Sequence, residues 1–265
     1  MGTARHKGLL ALLMLLSVFK LFLNTASADP LDNWHLRDTL PQDGPLLGVA
    51  CSSDVFVAVG EGGMALVSPD GVSWTRKISG TSSALNGIAF GNNSFVAVGD
   101  GGTVIVSQDG ASWTKRISGT SSTLNGITYG NNTFVAVGDG GTVFVSPDGV
   151  SWTRRISGTS DWYRGVTYGN NTFVAVGGKG AILISTDGIT WARKDSRTSE
   201  MLNGVSFANS SFVAVGGWGT ILTSVDGIIW SGRVSGTSNG LNGITYGKKS
   251  FVAVGGSGTI LQSEP

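Results

Sequence analysis

The chain has 265 residues, of which 42 are glycine, and charged residues make up only 13% of the total. The glycines do not recur at every third position, which excludes collagen, and 11 Phe with 8 Trp at a mean hydropathy of +0.16 argue against intrinsic disorder. Abundant glycine and few charges favour short strands joined by many tight turns.

The first 28 residues have the pattern of a secretory signal peptide. Arg5 and Lys7 precede an apolar run, and Ala26-Ser27-Ala28 matches a signal-peptidase cleavage site. The run is shorter than the about 20 residues that a membrane-spanning helix needs. We therefore expect cleavage before Asp29, export to a secreted, periplasmic or lumenal compartment, and a mature chain 29–265 with no transmembrane segment.

The mature chain carries 15 Lys and Arg against 17 Asp and Glu. A net charge near −2 points to neither nucleic acid nor an anionic membrane as a partner. Cys51 is the only cysteine, so no internal disulfide forms, and we expect it to be a buried apolar filler. His35 is the single mature histidine, which argues against most zinc sites and against a Ser-His-Asp triad. No metal and no cofactor are expected.

A repeat of 39 residues runs through the whole mature chain. The pentapeptide FVAVG begins at Phe56, Phe95, Phe134, Phe173, Phe212 and Phe251. Within one repeat the pattern predicts four strands, which are A 86–90, B 95–98, C 103–107 and D 112–117, separated by Asn-Asn and Asp-Gly turns. Strand B is apolar on both faces, as in the sheets of a propeller blade. The fold class is therefore all-β, a six-bladed β-propeller over residues 29–265.

The two ends of the chain suggest how the ring closes. The last repeat ends after strand C, whereas Asn33–Arg37 near the mature N-terminus resembles a strand D. We expect this N-terminal strand, with Trp34, to complete the last blade and to leave no exposed sheet edge.

The turn between strands C and D repeats the pattern S-x-D-G-x-x-W. A short carboxylate can accept turn N–H groups while the Trp packs over the hairpin, so we expect structural roles, with a Ca²⁺ site as the minor alternative. The motif residues are Asp70, Trp74, Asp109, Trp113, Asp148, Trp152, Asp187, Trp191, Asp226 and Trp230.

These turns resemble the Asp-box, or bacterial neuraminidase repeat. The mature chain is similar to the photosystem II stability/assembly factor-like family of Asp-box propellers. The resemblance implies Asp-boxes at the periphery, no enzymatic activity, and one face that holds other proteins. The arginine-rich contact face of that family is matched only loosely, by Arg164, Lys179 and Arg197.

Residues that depart from the repeat are the candidates for a partner site. Successive strands alternate in direction, so B–C turns and D–A loops share one face, and the large departures are all expected there, around repeats four and five. Exposed aromatic and arginine side chains have the composition of binding hot spots, and neutral drift in surface loops is the alternative. The departures are Asp161, Trp162, Tyr163, Arg164, Lys179, Arg197, Glu200 and Trp218.

Two further charged sets follow the repeat. Equivalent B–C positions in the first three repeats carry Glu61, Asp100 and Asp139, which predicts an acidic sector on the same face. Strand D carries adjacent cations, which we interpret as protection of the outer blade edge, with a functional basic belt as the alternative. The cation pairs are Arg76-Lys77, Lys115-Arg116, Arg154-Arg155 and Arg193-Lys194.

Three functions fit these patterns to different degrees. The first is an exported, monomeric, non-enzymatic propeller that binds a protein partner. The second is a glycan-binding lectin, in which Trp and Tyr stack on sugar rings. The third is a sialidase-like glycosidase, which needs an arginine cluster and paired carboxylates, and for which the sequence offers only Arg164 with Asp161 and Glu200.

Overall fold

Each repeat forms one antiparallel sheet in which the strands pair in the order of the chain. The computed structural model describes residues 44–264, and within them five sheets have four strands and the sixth has three. These sheets are six blades in a propeller ring, which confirms the fold class predicted from the repeat.

The strand bounds recur with the period of the sequence. Blade 1 contains β1 Leu46–Cys51, β2 Phe56–Gly60, β3 Ala65–Ser68 and β4 Thr75–Lys77. Blade 2 contains β5 Leu85–Gly91, β6 Ser94–Gly99, β7 Val104–Ser107 and β8 Thr114–Arg116. Blade 3 contains β9 Leu124–Gly130, β10 Thr133–Gly138, β11 Val143–Ser146 and β12 Thr153–Arg155.

The second half repeats this arrangement. Blade 4 contains β13 Tyr163–Gly169, β14 Thr172–Gly177, β15 Ile182–Ser185 and β16 Ala192–Lys194. Blade 5 contains β17 Leu202–Ala208, β18 Ser211–Gly216, β19 Ile221–Ser224 and β20 Ser231–Arg233. Blade 6 contains β21 Leu241–Gly247, β22 Ser250–Gly255 and β23 Ile260–Gln262.

A three-residue 3-10 turn joins strands B and C in every blade. These turns are Glu61–Gly63, Asp100–Gly102, Asp139–Gly141, Gly178–Gly180, Gly217–Gly219 and Gly256–Gly258. The D–A loops lie beside them, since the Ser79 hydroxyl donates a hydrogen bond to the Gly63 carbonyl at 2.5 Å and Ser118 donates to Gly102 at 2.6 Å. We call this end of the ring the upper face, and the end with the A–B and C–D turns the lower face.

The core lies between blades because strand B presents apolar side chains to both neighbours. In β6, Phe95 and Ala97 pack toward blade 1, while Val96 and Val98 pack into the cluster shared with blade 3. The inner strands approach most closely at glycine. A Cβ atom on Gly126 would lie 2.7 Å from the Arg164 carbonyl oxygen, so this position accepts no larger residue without movement.

The predicted closure by Asn33–Arg37 involves residues outside the described range, as does the signal peptide 1–28. At the edges of the described ring, Val49 is 66% exposed and Ile260 is 69% exposed, whereas their equivalents in blades 2 and 3 are buried. Cys51 on β1 is also exposed, which corrects the expectation of a buried filler, because the side of β1 that faces away from blade 2 is open, as the exposure of Val49 also shows.

Among residues 44–264, no helix has the length and apolar character needed to cross a membrane.

Candidate functional site

The S-x-D-G-x-x-W turns, which resemble Asp-boxes, lie on the lower face and are held by their own side chains. In blade 4, Asp187 Oδ1 accepts hydrogen bonds from the backbone N–H of Ile189 at 2.7 Å and of Thr190 at 2.8 Å, and from the Ser185 hydroxyl at 2.9 Å. The Trp191 indole donates to the Gly188 carbonyl at 3.0 Å and closes the turn. The same pattern recurs at Asp70, Asp109, Asp148 and Asp226.

The backbone N–H groups that face these carboxylates favour the ionised form. They lower the pKa of Asp109 and of Asp187 to about 2, and they lower the pKa of Asp70, Asp148 and Asp226 in the same direction. Each carboxylate is therefore engaged by its own turn. Among residues 44–264, no group of three or more acidic, histidine or cysteine side chains is arranged to hold a metal ion.

The acidic residues of the upper face have a structural partner that the sequence analysis missed. Asn86 Nδ2 donates to Asp100 Oδ1 at 3.0 Å and to the carbonyl of Leu124 in the next blade at 3.1 Å. Asn125 repeats both bonds, to Asp139 at 2.9 Å and to Tyr163 O at 3.0 Å. The sequence contained one indication of this contact, which is that an Asn is followed 14 residues later by an Asp in two successive repeats.

Blade 4 replaces both members of this pair at once. Arg164 stands where blades 2, 3, 5 and 6 have Asn, and Gly178 stands where blades 2 and 3 have Asp. The Arg164 side chain is exposed at the start of inner strand β13. The inner rim of blade 4 is thus cationic where blades 2 and 3 present a neutral amide bound to a carboxylate.

The loop into blade 4 holds Trp162 in a defined place. Asp161 Oδ2 accepts a hydrogen bond from the Thr159 hydroxyl at 2.8 Å and forms an ion pair with Arg193 at 3.3 Å. The Trp162 carbonyl accepts the Gly178 N–H at 2.9 Å. The indole ring of Trp162 lies over Gly178 and is 50% exposed, so one of its faces is open to a partner.

Tyr163 differs from the sequence-based expectation of an exposed contact residue. It is completely buried, in a cluster with Val137, Val143 and Phe173, and it occupies the repeat position that is Leu in neighbouring blades. Burial raises the pKa of its hydroxyl to about 12. Tyr163 therefore fills the core beneath the loop and is removed from the candidate contact surface.

Lys179 and Trp218 occupy the middle position of the B–C turns of blades 4 and 5. Both have left-handed backbone, with φ of 54° and 52°, where blades 1 to 3 have glycine. This conformation is uncommon for residues with a Cβ atom and is an outlier for a bulky one. Trp218 is nevertheless 75% exposed, so packing in the core does not explain its presence.

Two adjoining crevices connect these residues. A crevice of about 340 Å³ lies between Lys179 and the segment Arg193–Thr198 of blade 4. A second crevice, of about 610 Å³, is lined by Arg197, Thr198 and Trp218, and continues along blade 5. Thr198 contributes to both, so they meet at the loop between blades 4 and 5.

Arg197 and Glu200 complete this loop. Arg197 has a φ of 60°, and its N–H donates to Asp195 Oδ1 at 2.9 Å. Glu200 Oε2 lies 3.4 Å from the position that a Cβ atom would occupy at Gly217, the residue before Trp218. We name the set Trp162, Lys179, Arg197, Glu200 and Trp218 the blade 4–5 surface, with Arg164 at its inner edge.

Sequence comparison finds no matching family model and no matching curated protein. Similar solved structures do exist. One is described as YCF48 bound to D1 peptide, with a TM-score of 0.68 and 19% identity over 84% of this chain and 79% of that chain. Another is the computationally designed protein Ika8, with a TM-score of 0.66 and 16% identity over 83% of this chain and 71% of that chain.

An enzyme also shares the architecture. The GH74 enzyme of Niastella koreensis matches with a TM-score of 0.60 and 20% identity over 82% of this chain, but over only 36% of its own. At these identities the matches establish the fold and not the activity. The fold expected from the resemblance is thus confirmed, and it is shared with YCF48.

Proposed function

We propose that this chain is a non-enzymatic propeller that holds a protein partner on the blade 4–5 surface. The observation that carries the proposal is Trp218, which combines an unfavourable backbone conformation with 75% exposure. Strained residues persist where function retains them, and exposed Trp with nearby Arg is the composition of binding hot spots. YCF48, a propeller of the same fold, is described as bound to a peptide of D1, which supports this class of function.

We infer that the protein is exported, is cleaved before Asp29 and acts as a monomer. An assembly or stability factor is the form of this function that the resemblance favours. N-terminal sequencing of the mature protein tests the cleavage, and light scattering tests the monomer.

The test of the binding surface replaces two residues by those that other repeats have at the same positions. Trp162→Thr and Trp218→Gly restore what blades 3 and 2 have at these positions. The double variant, wild type and a lower-face control, Val72→Ser with Val150→Ser, are immobilised and exposed to the native exported fraction. We expect proteins retained by wild type and by the control to be lost from the double variant. Equal retention by all three would contradict the proposal.

Carbohydrate binding is the second candidate. The crevice between the B–C turn and strand D recurs in blade 1, where it measures about 400 Å³ and is lined by Arg76 and Lys77. A recurrent crevice suits several equivalent glycan sites. A glycan array with wild type and the double variant distinguishes the two functions, since a lectin with equivalent sites would retain binding through blade 1.

A glycosidase is less consistent with the geometry. The Asp161 carboxylate is occupied by Thr159 and Arg193. Arg164 is the only arginine on the six described inner strands, whereas recognition of a carboxylated sugar would need several.

A further inference from the structure

Charge is separated between the two faces of the propeller, although the net charge is small. Among the described residues 44–264, the upper half of the ring carries twelve cations and six carboxylates. The cations are the two adjacent ones on strand D of each of the first four blades with Arg164, Lys179, Arg197 and Arg233. The described lower half has two cations, Lys248 and Lys249, against seven carboxylates, which are Asp70, Asp109, Asp148, Asp187, Asp226, Asp54 and Glu264.

The strand pairing places the strand D cations near the upper face. Lys77 pairs with Ala65 and Arg116 pairs with Val104, and these partners are at or next to the start of strand C, directly after the B–C turn. Arg155 and Lys194 pair with the equivalent residues of blades 3 and 4. The cations therefore form an arc around the outer part of the upper face.

An exposed aliphatic residue follows the cations in four blades. Ile78, Ile117 and Ile156 are 88–89% exposed, and Val234 is 98% exposed. Equivalent positions in the blades of a ring lie at the same height along its axis, so these residues lie at one level, next to the strand D cations.

The carboxylates of the upper face are arranged differently. Asp100 and Asp139 are bound to Asn86 and Asn125 at the inner strands, near the axis of the ring. Asp161 is paired with Arg193. Over blades 1 to 3 the outer part of the face is consequently cationic and apolar, whereas in blade 4 the exposed Asp195 follows the cations at the position of these isoleucines.

We propose that the outer part of the upper face over blades 1 to 3, which is separate from the blade 4–5 surface, docks on an anionic lipid bilayer. Exposed aliphatic side chains flanked by Lys and Arg are a combination that binds the headgroup region of anionic membranes. A bilayer can meet the apolar side chains of three neighbouring blades at once. A protein partner would use one sector, and a soluble polyanion would meet the cations without using the aliphatic residues. The small net charge of the chain does not reveal this distribution, because the cations of the upper half are offset by the carboxylates of the lower half.

The test is flotation of the full mature protein with vesicles of phosphatidylcholine, alone or with about 30% phosphatidylglycerol. We expect binding to the anionic vesicles only, and weaker binding as salt is raised. Ile78→Ser, Ile117→Ser and Ile156→Ser together should reduce partitioning at least tenfold. The matched lower-face control, Val72→Ser, Val150→Ser and Ile189→Ser, should bind as wild type does.

Three outcomes would overturn the proposal. They are no binding to either vesicle, equal loss in the two triple variants, or a triple isoleucine variant that floats with anionic vesicles as wild type does. The last result would indicate a polyanion site in place of a bilayer contact. Unchanged melting curves of the variants exclude misfolding as the cause. The proposal does not rest on the protein contact of blades 4 and 5, since Trp162 and Trp218 remain intact in both triple variants.

Discussion

Trp218 shows how a single residue can oppose the preference of its own turn. The equivalent Gly101 has a φ of 62° and open space around the position of a Cβ atom, so the turn in blade 2 excludes larger residues by conformation and not by crowding. Blade 5 places the bulkiest side chain there. The left-handed conformation costs a residue with a Cβ atom about 1–2 kcal/mol, and the flexibility of glycine in the unfolded chain offsets about half of that.

Trp218→Gly should therefore stabilise the protein by about 0.5–1 kcal/mol, which raises Tm by about 2 °C for a chain of this size. Thermal unfolding followed by circular dichroism measures the shift. Gly101→Trp is the matched control, since it creates the same strain in blade 2 and should lower Tm by a similar amount. A lower Tm for Trp218→Gly would show that the indole packs favourably and that the argument from strain is wrong.

At the scale of the element, the Asp-box turn is a short hairpin connection stabilised by an ionised carboxylate. Its N–H donors come from the two residues that follow Gly in the motif, so the turn needs no contact with another blade to form these bonds. Strand D begins after the Trp, at Thr114 in blade 2 and not at Ser112 as the pattern predicts, because the turn continues through Trp113.

The pKa shifts predict acid sensitivity of these turns. A carboxylate with a pKa lowered from 3.8 to about 2 on folding stabilises the native state above pH 4, and this contribution is lost as the pH falls toward 2. Tm should therefore decline over this range. Asp187→Asn should start with a lower Tm at pH 7 and should depend less on pH between 4 and 2. Parallel curves for the variant and wild type would show that Asp187 does not contribute to the acid transition.

At the scale of the whole molecule, blade 6 is the least complete of the described blades, since it has three strands. A groove of about 770 Å³ lies between blades 5 and 6 and is lined by Ile221, Ile244 and Leu261. At the interfaces of blades 2 to 5, an Asp-box Trp such as Trp230 packs against the preceding blade. The described part of blade 6 has no such Trp.

Deletion of Asn33–Arg37 should lower Tm by about 5 °C or more, since the predicted strand would cover the groove and the edge of β23. Deletion of Asp29–Asp32 is the control and should have little effect. Melting curves of the two deletions decide the question. If they unfold at the same temperature, the N-terminal strand does not complete blade 6.

The sequence alone determined the architecture and the position of the turns. A period of 39 residues with apolar side chains on both faces of strand B requires repeated sheets that cover each other, and Asn-Asn and Asp-Gly define where the chain reverses. These features are local, or are repeated at a constant spacing, so they can be recognised without knowing which blades touch. The same period assigned Trp162, Lys179, Arg197 and Trp218 to one face.

Only the tertiary structure decided which departures from the repeat reach the surface and what they contact. Tyr163 and Trp162 are adjacent in sequence, yet one fills the core while the other lies over Gly178. The bond from Asn125 to the carbonyl of Tyr163 joins residues 38 apart, and the two crevices meet at Thr198 because neighbouring blades pack side by side. Burial and contact across blades depend on the packing of whole sheets, which a local pattern of residues does not contain.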